Sequence, residues 1–209
     1  MYAPPVFRED RIDVMQDLMR AHPFATLITV EDGRPNATHI PFAFHAGDGS
    51  EFGTLRGHVA RPNPVWSAFD AAIDVLVVFQ GPHHYITPSW YPSKAEHGKV
   101  VPTWNYAMVH AQGPLRVVED PDWLLAHLDT LTDGQETGRN TRWKLDDAPS
   151  DYIEKMVRGI VGLEIPISRL DGKWKMSQNR NAGDRAGVVA GLAAEGTDSA
   201  AEVARNIAD

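Results

Sequence analysis

The apolar positions change period along the chain. Between Asp10 and His22, Ile12, Met15, Leu18 and Met19 recur at three- and four-residue spacing. That spacing predicts one helix, closed by Pro23, which cannot donate a backbone N–H. From Phe24 the period drops to two, so Phe24–Val30 and Asn36–Phe44 read as strands around the turn Glu31–Arg34. Asp32-Gly33 in that turn is a strong hairpin signal, because glycine accepts the positive φ that a tight turn requires. A second turn, Ala46–Ser50, leads to a strand over Thr54–Val59. Ile73–Gln80 and His83–Thr87 read as a further pair of strands separated by Gly81-Pro82, and Trp104–Ala111, Leu115–Val118 and Ile160–Ile167 follow as extended runs. Two helices interrupt them. One opens at Asp120-Pro121 and runs through Leu131 with Leu124, Leu128 and Leu131 on one face; the other lies around Tyr152–Val157 after Pro149. No regular strand–helix–strand rhythm appears, so the prediction is a mainly β, antiparallel α+β fold with peripheral helices and about seven strands, enough to close a small barrel. One domain is expected over 1–192. The acidic, alanine-rich stretch 193–209 reads either as a short helix through Ala200, Val203, Ala204 and Ile207 or as a disordered tail.

Composition narrows the chemistry. The 209 residues are 43% hydrophobic and 23% charged, the profile of a chain that folds around a core. A formal net charge of -8 leaves the phosphate backbone of nucleic acid without an obvious electrostatic attraction. Cysteine is absent, which removes disulfides, thiolate nucleophiles, cysteine-type zinc sites and cysteine-ligated iron–sulfur clusters together. The first ten residues have no basic run followed by an apolar one, so no secretory signal is expected. The longest stretch free of strongly polar residues, Ala186–Ala194, is about half of what a membrane span needs. The expectation is a cytoplasmic protein with no membrane partner.

Three stretches concentrate donors, aromatic rings and prolines: Gly57–Trp66, Tyr85–Lys94 running into Val101–Tyr106, and Gly172–Arg180. Together they suit a planar anionic ligand. Arg169 to Arg185 carries a net charge of +3 within an otherwise acidic molecule, either as a phosphate grip or as a solvated basic edge. His58, Arg61 and Asn63 stand on a turn stiffened by Pro62 and Pro64, which serves equally as an anion grip or as a surface turn with an arginine ion pair. His83 and His84 resemble a metal pair, but neighbours on a strand point to opposite faces. Trp66 and Trp123 read as packing; Trp90, Tyr91, Trp104 and Tyr106 sit among Pro, Ser, Thr and Asn, where stacking on a ring system is plausible. There is no G-x-S-x-G, G-x-G-x-x-G or Walker loop, so nothing marks a hydrolase or a kinase.

Seven segments in order, Met1-Tyr-x-Pro, His22-Pro-Phe-Ala-Thr-Leu, Gly57-His-Val-Ala-Arg-x-Asn-Pro, Phe79-Gln-Gly-Pro-His, Tyr85-Ile-x-Pro-Ser-Trp-Tyr-Pro-Ser-Lys94, Val101-Pro-Thr-Trp-Asn-Tyr106 and Lys173-Trp-Lys-Met-Ser-Gln-Asn-Arg180, resemble the PaiB family of FMN-binding negative transcriptional regulators. The resemblance implies a split β-barrel like that of the pyridoxamine-phosphate oxidases, forming a homodimer with FMN at the subunit interface. It further implies that Thr38, His39, His58, Arg61 and Asn63 grip the phosphate, while Trp104, Asn105, Lys175, Ser177, Gln178 and Arg180 approach ribityl and isoalloxazine. In that scheme Arg61 offers planar bidentate donors, and Lys175 or Arg180 near the pyrimidine edge favours a reduced flavin anion. Transcriptional regulation is the implied role, with direct DNA contact unsupported by the charge. The alternatives are a flavin-dependent oxidoreductase, either a flavin reductase or a small-molecule oxidase, and a haem-binding split barrel drawing on the nine histidines.

Overall fold

A computed structural model describes residues 1–47 and 50–208. The middle of the turn expected at Ala46–Ser50, Asp48 and Gly49, lies outside the described residues. The chain opens with a two-residue strand, β1 (Arg8–Glu9), and the expected helix, α1 (Ile12–Ala21), which buries Met15, Leu18 and Met19. β2 (Phe24–Glu31) and β3 (Arg34–Pro41) form the anticipated hairpin, in register from Phe24↔Pro41 to Glu31↔Arg34. At its tip Asp32 and Gly33 take φ of 49° and 74°, the paired left-handed conformations of a turn that matches strand twist.

The strand expected to run on to Phe44 is broken. β4 (Ala43–His45) leaves β2 and pairs with β5 (Thr54–Ala60). The break falls where Pro41 meets Phe42, whose ring is buried edge-on to Phe79 at 6.3 Å and whose N–H donates to the Pro23 carbonyl. A short helix, α2 (Val65–Ala68), precedes β6 (Val75–Ile86).

The two strands expected on either side of Gly81-Pro82 are one. β6 runs through both residues, and its alternation slips there: Gln80 faces out, Gly81 and Pro82 are both buried, then His83 and Tyr85 face out. An extra residue inserted into one strand produces this change of phase, and it also accommodates a proline that has no N–H for the ladder.

The remaining elements are α3 (Ser93–His97), β7 (Thr103–Gly113), β8 (Arg116–Val118), α4 (Pro121–Glu136), α5 (Ser150–Arg158), β9 (Ile160–Pro166), β10 (Arg169–Lys175), α6 (Ala182–Glu195) and α7 (Asp198–Ala208). Helix α4 starts where expected, with Asp120 accepting from the N–H groups of Asp122 and Trp123, and continues past Leu131 by five residues to Glu136.

Two compact units emerge, and β6 and β7 contribute residues to both. The first comprises Met1–Met15, Gln80–Val109 and the chain from Asp171 on. Its strands follow the order β1-β10-β7-β6, with β1 and β10 antiparallel. Helices α6 and α7 belong to this unit, and Val188, Leu192, Ala200, Val203 and Ile207 are buried. Helix α6 packs on Trp90 through glycines: a Cβ at Gly191 would lie 2.3 Å from the indole, and one at Gly187 2.0 Å from the Trp90 carbonyl oxygen. The second unit comprises Gln16–Phe79 and His110–Leu170. It contains β6-β2-β3 and a four-stranded sheet, β4-β5-β9-β8, around Leu27, Leu55, Val77, Phe79, Val161, Leu163 and Ile165. Among the described residues no helix is long and apolar enough to cross a membrane.

Candidate functional site

Alternation along β7 separates two roles in the first unit. Asn105, Ala107 and Val109 are buried, whereas Trp104 and Tyr106 face the other way. Trp104 is 53% exposed and Tyr85, on β6, is 42% exposed. Their rings meet edge to face at 5.9 Å, and His83 lies 6.3 Å from the indole. The slip at Gly81-Pro82 is what turns His83 and Tyr85 outward to join Trp104.

Two lysines of β10 border this aromatic face. Lys173 Nζ donates to the Tyr2 carbonyl at 3.1 Å and sits over the rings of Tyr2 and Tyr106, at 5.7 and 5.3 Å. Lys175 Nζ donates to Thr103 Oγ1 and to the Trp104 carbonyl. Partial burial holds the Lys175 ammonium below the ordinary lysine value; Tyr106 opposes this, and Lys173 and Arg180 add to it. The result is a solvent-facing plate of aromatic rings edged by two positive charges.

Of the other positions expected near a ligand in this unit, Asn105 and Ser177 are turned inward, Arg180 is half-buried and Gln178 is exposed. Asn105 Nδ2 donates to Ser177 Oγ at 2.9 Å, both residues are buried, and Ser177 takes φ of 62°. Gln178 folds back on its own loop, its Oε1 accepting from Met176 N–H at 2.7 Å and its Nε2 donating to the Trp174 carbonyl at 2.6 Å. Arg180 lies 4.7 Å from the centre of the Tyr91 ring. Asn105 and Ser177 thus brace the β10–α6 turn from inside, while Gln178 ties the same turn at the surface. His83 and His84 diverge as neighbours on a strand do: His83 borders Trp104, while His84 lies beside Trp90 and Glu195.

In the second unit Thr38 is half-buried and His39 exposed on β3, opposite Leu27 and Thr26. Asn63 Oδ1 accepts from Val65 N–H at 3.0 Å, stiffening the turn into α2. Arg61 is held by its own chain: Nε donates to the Arg158 carbonyl, Nη2 to the Ile160 carbonyl and Nη1 to Glu119 at 2.6 Å. His58 Nδ1 lies 3.0 Å from Nε2 of His127, a residue of α4 that is only 2% exposed. His127 is stacked on Trp123 at 5.3 Å, and its Nδ1 has no hydrogen-bond partner. A neutral imidazole has one N–H and one bare nitrogen, and burying the bare one unpaired costs less than burying an N–H. The proton therefore sits on His127 Nε2 and is donated to His58. Burial lowers the pKa of both rings, His127 to about 3, with the charges of His58, His45 and Arg56 adding to the effect there.

His127 went unnoticed in the sequence, although the signal exists: it falls between Leu124 and Leu128 on the apolar face of α4. Tyr85 opens one of the candidate stretches, but the face it presents depends on the slip in β6.

Residues 1–169 match the family described as "Putative FMN-binding domain". Over 209 residues the chain is 35% identical to the protease synthase and sporulation protein PAI 2 of Bacillus subtilis, covering 100% of this chain and 97% of that one. This chain is a member of the PaiB family. PaiB relatives extend to fungi: an uncharacterized protein of Emericella nidulans, AN0679, is 38% identical over 95% of this chain and 93% of its own. Among solved structures, the FAD and heme binding protein of Mycobacterium smegmatis superposes with a TM-score of 0.57 at 21% identity, covering 80% of this chain and 73% of that one. The antiparallel sheets and helices are those of the pyridoxamine-phosphate-oxidase-like split barrel, as the resemblance implied.

Proposed function

We propose that this PaiB-family chain is a flavoprotein that holds FMN with the isoalloxazine ring against Trp104, Tyr85 and His83, and that it acts as a homodimeric cytoplasmic regulator. The observation that carries the reading is the exposed aromatic plate edged by Lys173 and Lys175. Large rings clustered in solvent are costly unless something covers them, and a flat, electron-poor ring system with an anionic reduced form fits both the plate and its charges. Bound there, a flavin supplies reversible one- and two-electron transfer. Lys173 and Lys175 hold positive charge at its edge, and Asn105 and Ser177 keep β7 and the β10–α6 turn in place behind it. A regulatory role is what the resemblance to the PaiB family implies, and the net charge of -8 favours action through flavin or a protein partner over direct operator contact.

The test is titration with FMN followed by flavin fluorescence and absorbance, on the wild type and on Trp104→Ala. Loss of a stacking partner worth about 0.5 to 1.5 kcal/mol predicts affinity weaker by roughly 2- to 13-fold, with the thermal midpoint unchanged. Binding indifferent to Trp104, or no flavin binding, overturns the reading. Light scattering that gives a monomer in the presence of FMN removes the homodimer.

A further inference from the structure

A cavity of about 570 Å³ opens in the second unit between the start of α4 and the end of α5, on a different set of side chains from the flavin reading. That volume is within the range of small-molecule sites. Leu124 and Val157, both buried, form its floor, and Leu125 is half-buried beside them. Its rim carries two arginines and two glutamates, arranged as two unequal pairs.

Arg61 and Glu119 are locked at 2.6 Å, with the guanidinium also bonded to the Arg158 and Ile160 carbonyls and 5.9 Å from the Trp66 ring. Arg158 and Glu154 are loose: 3.9 Å apart, with side chains 69% and 68% exposed. A pair so exposed gains little from its own attraction, so exchanging it for ligand contacts costs little.

From this arrangement we infer that the cavity binds an α-amino acid with a large apolar side chain, its ammonium on Glu154 and its carboxylate on Arg158. The rim charges sum to zero, so a zwitterion adds no uncompensated charge, whereas a simple acid or amine does. The separation of the Glu154 and Arg158 charges, one helical turn apart on α5, is close to that of the two charges of an α-amino acid. The apolar floor accepts the side chain. The fixed Arg61–Glu119 pair walls the opposite side and gives the site a pre-organised edge.

The experiment is calorimetric or saturation-transfer titration of the whole protein with L-phenylalanine, L-leucine and L-tryptophan. 3-Phenylpropanoate and phenethylamine serve as probes lacking one charge each. Saturable binding of at least one amino acid is expected. Removing either ligand charge, or making Arg158→Gln or Glu154→Gln, is expected to weaken it by roughly two- to fivefold, the scale of an exposed ion pair. Both variants alter exposed side chains, so wild-type circular dichroism is expected of each. The proposal is overturned if none of the three amino acids saturates, if the acid or the amine binds as tightly as the zwitterion, or if both variants bind like wild type. Failure of FMN binding leaves these outcomes unaffected, since no residue is shared with the aromatic plate.

Discussion

Acidification acts on this protein through His127. In the folded chain the ring is buried against Trp123 and His58 and titrates at about 3, against an ordinary value of 6.5. Between those values the unfolded chain takes up a proton that the folded chain refuses, so stability falls as pH drops below 6.5 and continues to fall toward 3. From pH 7 to pH 5 one such group costs about 2 kcal/mol, at about 1.4 kcal/mol for each pH unit below 6.5. His58 is shifted in the same direction by burial and adds to the loss. The comparison is with His127→Gln, whose amide N–H still reaches His58 Nδ1 but does not titrate. Urea unfolding of both proteins at pH 7 and pH 5, followed by circular dichroism, should show the wild type losing about 2 kcal/mol more than the variant. Groups away from His127 titrate alike in both proteins, so their contributions cancel in the difference, leaving His127 and its contact with His58. Parallel pH dependence in the two proteins refutes the argument.

Other consequences are simpler to measure. Gly191→Ala places a methyl group 2.3 Å from the Trp90 indole and is expected to cost about 1 to 3 kcal/mol, read as a lower thermal midpoint. Asn105→Ala leaves the buried Ser177 hydroxyl without its partner and should cost about 1 to 3 kcal/mol in chemical denaturation. Leu124→Ala opens a void under α4 at a cost of about 2 to 5 kcal/mol, and unchanged stability would show that the helix collapses to fill it.

Local chemistry was legible in the sequence wherever it is decided locally. Asp32-Gly33 announced its turn, Pro23 the end of α1, and Asp120-Pro121 the start of α4, because each rests on backbone rules that need no distant partner. What could not be read from the sequence has the opposite character. Ala186–Ala194 read only as a stretch free of strongly polar residues, yet Gly187 and Gly191 are small because Trp90 occupies the space beside them. Arg61, Asn105, Ser177 and Gln178 were recognisable as donors and acceptors, but a donor in a sequence does not declare whether its acceptor is a ligand or the chain itself. For Arg61 the acceptors are Glu119 and two carbonyls 97 and 99 residues away. The family motifs preserved the order of these segments without revealing which of their side chains reach solvent.

The slip at Gly81-Pro82 lets one strand serve opposite parities: odd-numbered positions up to Phe79 are buried, while His83 and Tyr85, also odd-numbered, face solvent. Loss of either slip residue leaves strict alternation with both rings still outward, so the aromatic plate survives the deletion of one codon there. What destroys it is flattening the slip at full length, which drives both rings toward the packed side and swings His84 outward in their place.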